Sequence, residues 1–258
     1  MKTMQTFSCI ALLPLLTACA GNVGMQLPAA PEPKPRALAP AIEFDPSLIE
    51  PVTLDYALKV RDKPFGQFKV EITRETIGGR RAIRAAMDGG GASMSMSYEV
   101  VFGAQDFTPI SSRSEQHHGS TSTVTHLRYE NGKIAGTVAA PEPAGGAQTQ
   151  QISIEVPAGT LLPGMDEYAI WLADLDADKT FTVPLFDERL GRAIELTARV
   201  VGEKVLTTPA GEFETWVLET ETESGARMIC VRKQQPHITV FQQPVGAPVA
   251  IELMGIER

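Results

Sequence analysis

The stretch Ser93-Met-Ser-Met-Ser-Tyr-Glu-Val-Val-Phe102 decides how this chain is read. Met94, Met96, Tyr98, Val100 and Phe102 occupy alternate positions, with Ser95, Ser97 and Glu99 between them. Successive side chains of a strand point to opposite faces, so this alternation sets one face on a core and the other toward water. The same period runs outward in both directions. Leu54, Tyr56, Leu58 and Val60 oppose Asp55 and Lys59, and Phe68, Val70 and Ile72 alternate with Lys69, Glu71 and Thr73. Residues 62–66 read as a turn between these two, and Gly78-Gly79 as another. Residues 82–87 form a weaker strand that Gly89-Gly90-Gly91 closes. Downstream, strands are expected over 107–116, 121–130, 133–139 and 150–156, with a loop over 141–149. Asn131-Gly132 is a type I′ hairpin signal.

One segment departs from this rhythm. In Met165-Asp-Glu-Tyr-Ala-Ile-Trp-Leu-Ala-Asp-Leu175, Tyr168, Trp171, Leu172 and Leu175 recur at helical spacing. Asp166 and Glu167 sit in its first turn, where the helix dipole favours carboxylates, and Pro163-Gly164 marks its start. Strands resume over 180–186, 192–202, 203–208, 213–222, 226–234, 238–242 and 249–256. The fold class is therefore mainly β. An antiparallel meander forms a curved sheet or partly open barrel with one central helix, in a single domain over residues 52–258.

Composition is that of a globular protein, with 43% hydrophobic and 21% charged residues. A net charge of −8 argues against a nucleic-acid partner, which would need a basic surface. The 22 Gly and 19 Pro fit a chain with many turns and a linker. Seven of those prolines lie between Pro28 and Pro51. Proline fixes φ and removes a donor, so residues 19–51 are expected to be a semi-rigid tether. Its proline-rich part could span roughly 70 Å at about 3.1 Å per residue.

The N-terminus has the layout of an export signal. Lys2 gives a positive start, an apolar stretch runs from Phe7 to Leu16, and small residues follow. Leu16-Thr17-Ala18-Cys19 resembles the lipobox of bacterial lipoproteins. That resemblance implies a signal peptide over residues 1–18, diacylglycerol and a fatty acyl group such as palmitate on Cys19, and membrane attachment through the lipid. More than one acyl chain is needed for firm anchoring. Ala20, where an inner-membrane lipoprotein would carry Asp, implies an outer-membrane lipoprotein facing the periplasm. Cleavage removes one of 23 basic residues and none of the 31 acidic ones, leaving a net charge of −9. Anionic lipid would repel such a chain on average, so the lipid rather than a basic patch is the expected anchor.

A second resemblance covers the whole domain. Val205-Leu-Thr-Thr-Pro-Ala-Gly-Glu-Phe-Glu-Thr-Trp-Val217 is similar to the Pro-Ala-Gly-x-Phe segment of the bacterial family DUF3108. The early strand at Tyr56, the turn at Phe65-Gly66 and the central helix also fit that family. Where the family carries an aromatic-Ser-x-Asp hairpin, this chain has Glu223-Ser-Gly-Ala-Arg227. The resemblance implies a curved β-sheet envelope protein and carries over no catalytic residues.

Residue patterns point to no specific chemistry, and no enzyme activity, cofactor or metal is expected. Gly-x-Ser-x-Gly, His-Glu-x-x-His and Cys-x-x-Cys are all missing from the sequence. His117 and His118 point to opposite faces of a strand, which argues against a shared ion with His126. Asp174, Asp176 and Asp178 mimic a calcium loop, but Lys179 stands where its turn glycine belongs. Cys230 lies in an apolar strand and reads as buried. The face that carries Met94, Met96, Tyr98 and Phe102, with Trp171 and Trp216, is the candidate lining for an apolar ligand. The expected function is noncatalytic binding or carriage of an apolar or amphipathic ligand. The alternative is an assembly factor that binds an envelope protein partner.

Overall fold

The computed structural model describes residues 44–141 and 147–258. The signal peptide, Cys19, Ala20 and the tether up to residue 43 lie outside the described residues. Eight strands run first: β1 (Val52–Val60), β2 (Lys63–Ile77), β3 (Arg80–Gly91), β4 (Met94–Gly103), β5 (Pro109–His118), β6 (Thr121–Glu130), β7 (Lys133–Pro141) and β8 (Ala147–Glu155). The helix α1 (Met165–Leu172) follows. Six more strands follow among the described residues: β9 (Thr180–Asp187), β10 (Arg192–Thr208), β11 (Gly211–Thr222), β12 (Gly225–Arg232), β13 (Thr239–Pro244) and β14 (Val249–Glu257).

All fourteen strands form one sheet in the order β8-β7-β6-β5-β4-β3-β2-β1-β14-β13-β12-β11-β10-β9. Every neighbouring pair is antiparallel. The first and last strands meet in the middle, where Tyr56 pairs with Leu253 and Leu58 with Ile251. The two edges, β8 and β9, are consecutive in the chain and do not pair, so the sheet curves without closing. The segment between them carries α1. Leu161 from that segment lies along β9, with Leu161 N donating to Pro184 O at 2.8 Å.

The helix is enclosed by the sheet. Seven of its eight residues are buried, all but Glu167. A helix that is apolar nearly all round needs a partner on every side, and the curved sheet supplies it. Leu54, Ile72, Ile83, Val100, Leu127, Ile134, Leu196 and Leu253 converge with Met165, Ile170 and Trp171 in one core. A run of aromatic contacts ties helix to sheet: Phe102 to Tyr168 at 5.5 Å and Tyr168 to Trp171 at 5.1 Å between ring centroids.

Several boundaries differ from the sequence reading. The turn over 62–66 contracts to Arg61 and Asp62, both with positive φ, and Pro64 lies within β2. Pro64 is tolerated because the ladder to β3 begins only at Gly66. Gly89-Gly90-Gly91 continues β3 instead of closing it. These glycines let backbones approach: a Cβ on Gly66 would stand 2.1 Å from Gly90 O, and one on Gly90 would stand 2.1 Å from Met94 O. The expected strands 192–202 and 203–208 are one, β10, with a bulge between Val200 and Gly202. The helix ends at Leu172, short of Leu175. The Asn131-Gly132 hairpin is present as expected, with φ of 50° and 80°.

The packed unit also starts before residue 52. Pro46–Leu48 forms a short 3-10 turn capped by Asp45, Ile49 is buried, and Arg74 donates to the carbonyls of Ser47 and Ile49. Phe44 lies 4.9 Å from Phe107.

Candidate functional site

At one rim of the sheet the helix N-terminus lies beneath three hairpin ends, those joining β9 to β10, β11 to β12 and β13 to β14. A cavity of about 330 Å³ opens between them. That is at the small end of ligand-site volumes, roughly 300–1,000 Å³. Leu185, Phe186, Ile194 and Leu196 from β9 and β10 form its apolar wall. Asp166, Asp187, Thr220, Ser224, Arg227 and Gln242 form its polar wall.

Each polar group is placed by its element. Asp166 sits in the first turn of α1, where the exposed N–H groups favour a carboxylate. It forms an ion pair with Arg227 of β12, and both side chains are largely buried. Arg227 Nε also donates to Thr220 Oγ1 at 3.2 Å across the β11–β12 ladder. Asp187 ends β9 and organises the next turn. Its Oδ1 accepts from the N–H groups of Arg189 and Leu190 at 2.9 and 3.0 Å, and its Oδ2 accepts from Ser224 Oγ at 2.5 Å. Across the rim, Arg192 and Glu223 form an exposed ion pair that links two hairpin ends. Burial raises the Glu188 carboxyl above its usual range, and the neighbouring Asp187 charge adds to that. Gln242 of β13 is 5% exposed, and its Oε1 has no hydrogen-bond partner.

The six residues singled out from sequence lie elsewhere. Met96, Phe102 and Trp171 are buried in the core, and none of the six lines the cavity. Met94 lies beside the β3–β4 turn, partly buried. Trp216 packs on the core edge under Lys233, whose Nζ is 3.9 Å from the ring centroid. Tyr98 stands behind the cavity wall. Its hydroxyl is 3.1 Å from Ser112 Oγ, and Ser112 in turn donates to Pro163 O at 3.3 Å. Gly164, which lines the cavity, has φ of 83°, and a Cβ there would meet the Tyr98 hydroxyl at 2.1 Å. Tyr98 therefore seats the helix start. Burial holds the Tyr98 and Tyr168 hydroxyls well above the ordinary tyrosine range, so both stay protonated.

The stripe at 94–102 is core at Met96, Val100 and Phe102, with Tyr168 of α1 packed on Phe102 and the helix start on Tyr98. The polar wall escaped the sequence reading because its members are scattered over 77 positions, from Asp166 to Gln242. Thr220 and Gln242 are polar residues at buried positions of β11 and β13. Among the described residues, no three His, Cys, Asp or Glu side chains are grouped to hold a metal ion. His117 Nε2 is engaged with Glu115 at 2.9 Å, and Asp174 pairs with Lys179. Cys230 is buried and free, and burial raises its thiol pKa.

No curated protein matches the sequence. Two solved structures match at low similarity. One is a protein from Bacteroides fragilis described as exported, with a YmcC-like fold; it is 10% identical, with 84% of this chain and 100% of that one covered at a TM-score of 0.34. The other, from Parabacteroides distasonis, is described as a lipoprotein; it is 9% identical, with the same coverages and a TM-score of 0.32. The sequence profile of the family described as "Protein of unknown function (DUF3108)" matches residues 55–253, nearly the whole β domain. The Pro209-Ala210-Gly211 turn between β10 and β11 and the strands on either side of it all fall within that match, and the chain belongs to the DUF3108 family.

Proposed function

We propose that this protein is a noncatalytic, lipid-anchored component of the bacterial envelope that binds a small apolar or amphipathic ligand in its curved sheet. The observation that carries the reading is the cavity of about 330 Å³, apolar on the β9–β10 side and polar on the other. Such a two-sided lining suits a ligand with a short apolar body and a polar end. The anchor is the lipid on Cys19, and Ala20 favours the outer membrane, facing the periplasm. A chain held there on a proline-rich tether would meet amphiphiles leaving or entering the bilayer.

The test is native mass spectrometry of the lipidated full chain released from envelopes, with solvent extraction of whatever copurifies. A stoichiometric amphiphile is the expected result. An apo mass, together with no uptake of added single-chain amphiphiles, would overturn the reading. The second reading, an assembly factor for a protein partner, rests on β8. Among the described residues its outer edge pairs with no strand, which leaves nine residues open to strand addition.

A further inference from the structure

We infer that the open edge of β8 takes a second copy of this chain, strand against strand and antiparallel, about a two-fold axis at Ser153. Such pairing is independent of any ligand in the cavity, and it names the occupant of the edge on which the second reading above rests.

The two edges of the sheet are not alike. β9 carries Pro184, which has no N–H to offer, and Leu161 is bonded along it, donating to Pro184 O and accepting from the Phe186 N–H at 2.9 Å. A proline and a covering segment are common guards of an exposed edge. Among the described residues β8 has neither. Its sequence Ala147-Gln-Thr-Gln-Gln-Ile-Ser-Ile-Glu155 holds no proline, no lysine and one charge, at its end, and its ladder to β7 runs without a bulge. The Val156 N–H donates to Gly132 O at 2.9 Å, which fixes the phase of that ladder. Even-numbered residues of β8 turn their backbone groups to β7, and the N–H and C=O of Gln151, Ser153 and Glu155 point outward. On the inward face Ile152 is buried, while Ile154 and Val156 are only partly covered.

The edge is complementary to itself. A two-fold axis at Ser153 sets Ser153 on its own counterpart, Gln151 against Glu155, Ile152 against Ile154 and Gln150 against Val156. Outward-pointing backbone then meets outward-pointing backbone at Ser153 and at both Gln151–Glu155 pairs, which gives about six ladder hydrogen bonds. Ile152 and Ile154 form two β-branched cross-strand pairs, the contact that stabilises a sheet, and Ile154 gains the cover it lacks. Each Glu155 carboxylate meets an amide that can donate to it, and no like charges face one another. A shift of two residues toward Pro157 sets Gln151 against a residue without an N–H, and the opposite shift sets Ile154 against Gln150. The pairing joins two fourteen-stranded sheets into one across an isologous interface.

Disulfide trapping of the full chain in bacterial envelopes tests this, with the unsubstituted chain as background; Cys230 is buried. Ser153→Cys should give a covalent dimer on mild oxidation, because facing residues of a hydrogen-bonded pair lie about 5.5 Å apart at Cα, within disulfide reach. Gln151→Cys is also exposed and lies two residues away, but it stands roughly 14 Å from its own counterpart and should give at least about tenfold less dimer. Gln151→Cys combined with Glu155→Cys should restore the dimer. Gln151→Pro removes one outward N–H without touching the β7 ladder. Added to Ser153→Cys it should abolish the trapping, with the circular dichroism of the purified chain unchanged. No dimer from Ser153→Cys, or as much dimer from Gln151→Cys as from Ser153→Cys, would overturn the pairing. Ligand binding is read separately, by the copurification above, so the two can fail independently.

Discussion

Thr239 shows how one residue couples helix to sheet. Its hydroxyl accepts the indole N–H of Trp171 at 3.0 Å, and its carbonyl accepts the hydroxyl of Tyr56, also at 3.0 Å. Thr239→Val keeps the shape and strands the buried indole N–H. It should cost about 1–3 kcal/mol in urea unfolding, and a change within error would show the bond to be unimportant. Glu167 shares this neighbourhood. The residue is half-buried, but desolvation of its carboxyl raises it above the usual range, opposed by a hydrogen bond from Thr239 and by the Arg227 charge. The folded chain therefore holds this proton more tightly than the unfolded chain does. As pH rises through the ordinary carboxylate range the unfolded state ionises first, so this group lowers stability progressively, and the loss is complete above its folded pKa. Glu167→Gln should raise the unfolding midpoint at neutral pH, and the gain should shrink toward about pH 4. A gain that grows on acidification would contradict the sign. The alternation of residues 94–102 placed Val100 and Phe102 inside, while the role of Thr239 was invisible because its partners lie 68 and 183 positions away.

At the scale of elements, the glycine-lined contact lets the backbones of β2, β3 and β4 approach closely. Gly66 faces Gly91 and Gly90 faces Ser95, with backbone where a Cβ would go. Gly90→Ala must push β4 away, and should destabilise by about 1–3 kcal/mol, as overpacking does. Hydrogen exchange should rise first at the β3–β4 pairing around Gly90 and Ser95. A neutral variant would mean that the strands slide apart freely. The sequence reading took these glycines for a strand end because glycine is a common turn former, and a turn and a close strand crossing draw on the same property, the missing side chain. Period-two strands, the type I′ turn and the helix start were all legible, because each follows from local geometry. The merger of two expected strands into β10 was not, since a bulge at Gly202 looks like a break when its partner β11 is out of view.

At the scale of the molecule, attachment and binding are separable. Cys19→Ser removes the thiol that would carry the lipid and leaves the β domain untouched. The variant should lose incorporation of labelled palmitate and move from the membrane to the soluble fraction, with its unfolding midpoint unchanged. Retention in the membrane fraction would point to another anchor. The cavity belongs to the assembled sheet. Hairpin ends from β9 through β14 meet the helix start there, though these residues are far apart in the chain.

By itself the sequence determined the β-rich class, the one helix among the described residues and the family. Each of these is written in contiguous residues, through spacing, turn chemistry or a short motif. Only the tertiary structure decided where an empty volume remains. Packing is a matter of what fills the space opposite a face, and α1 fills the space in front of Phe102 while a gap remains before Leu196, Arg227 and Gln242. Side-chain alternation fixes the direction in which a residue points, and the long-range closure of the sheet fixes what it meets there.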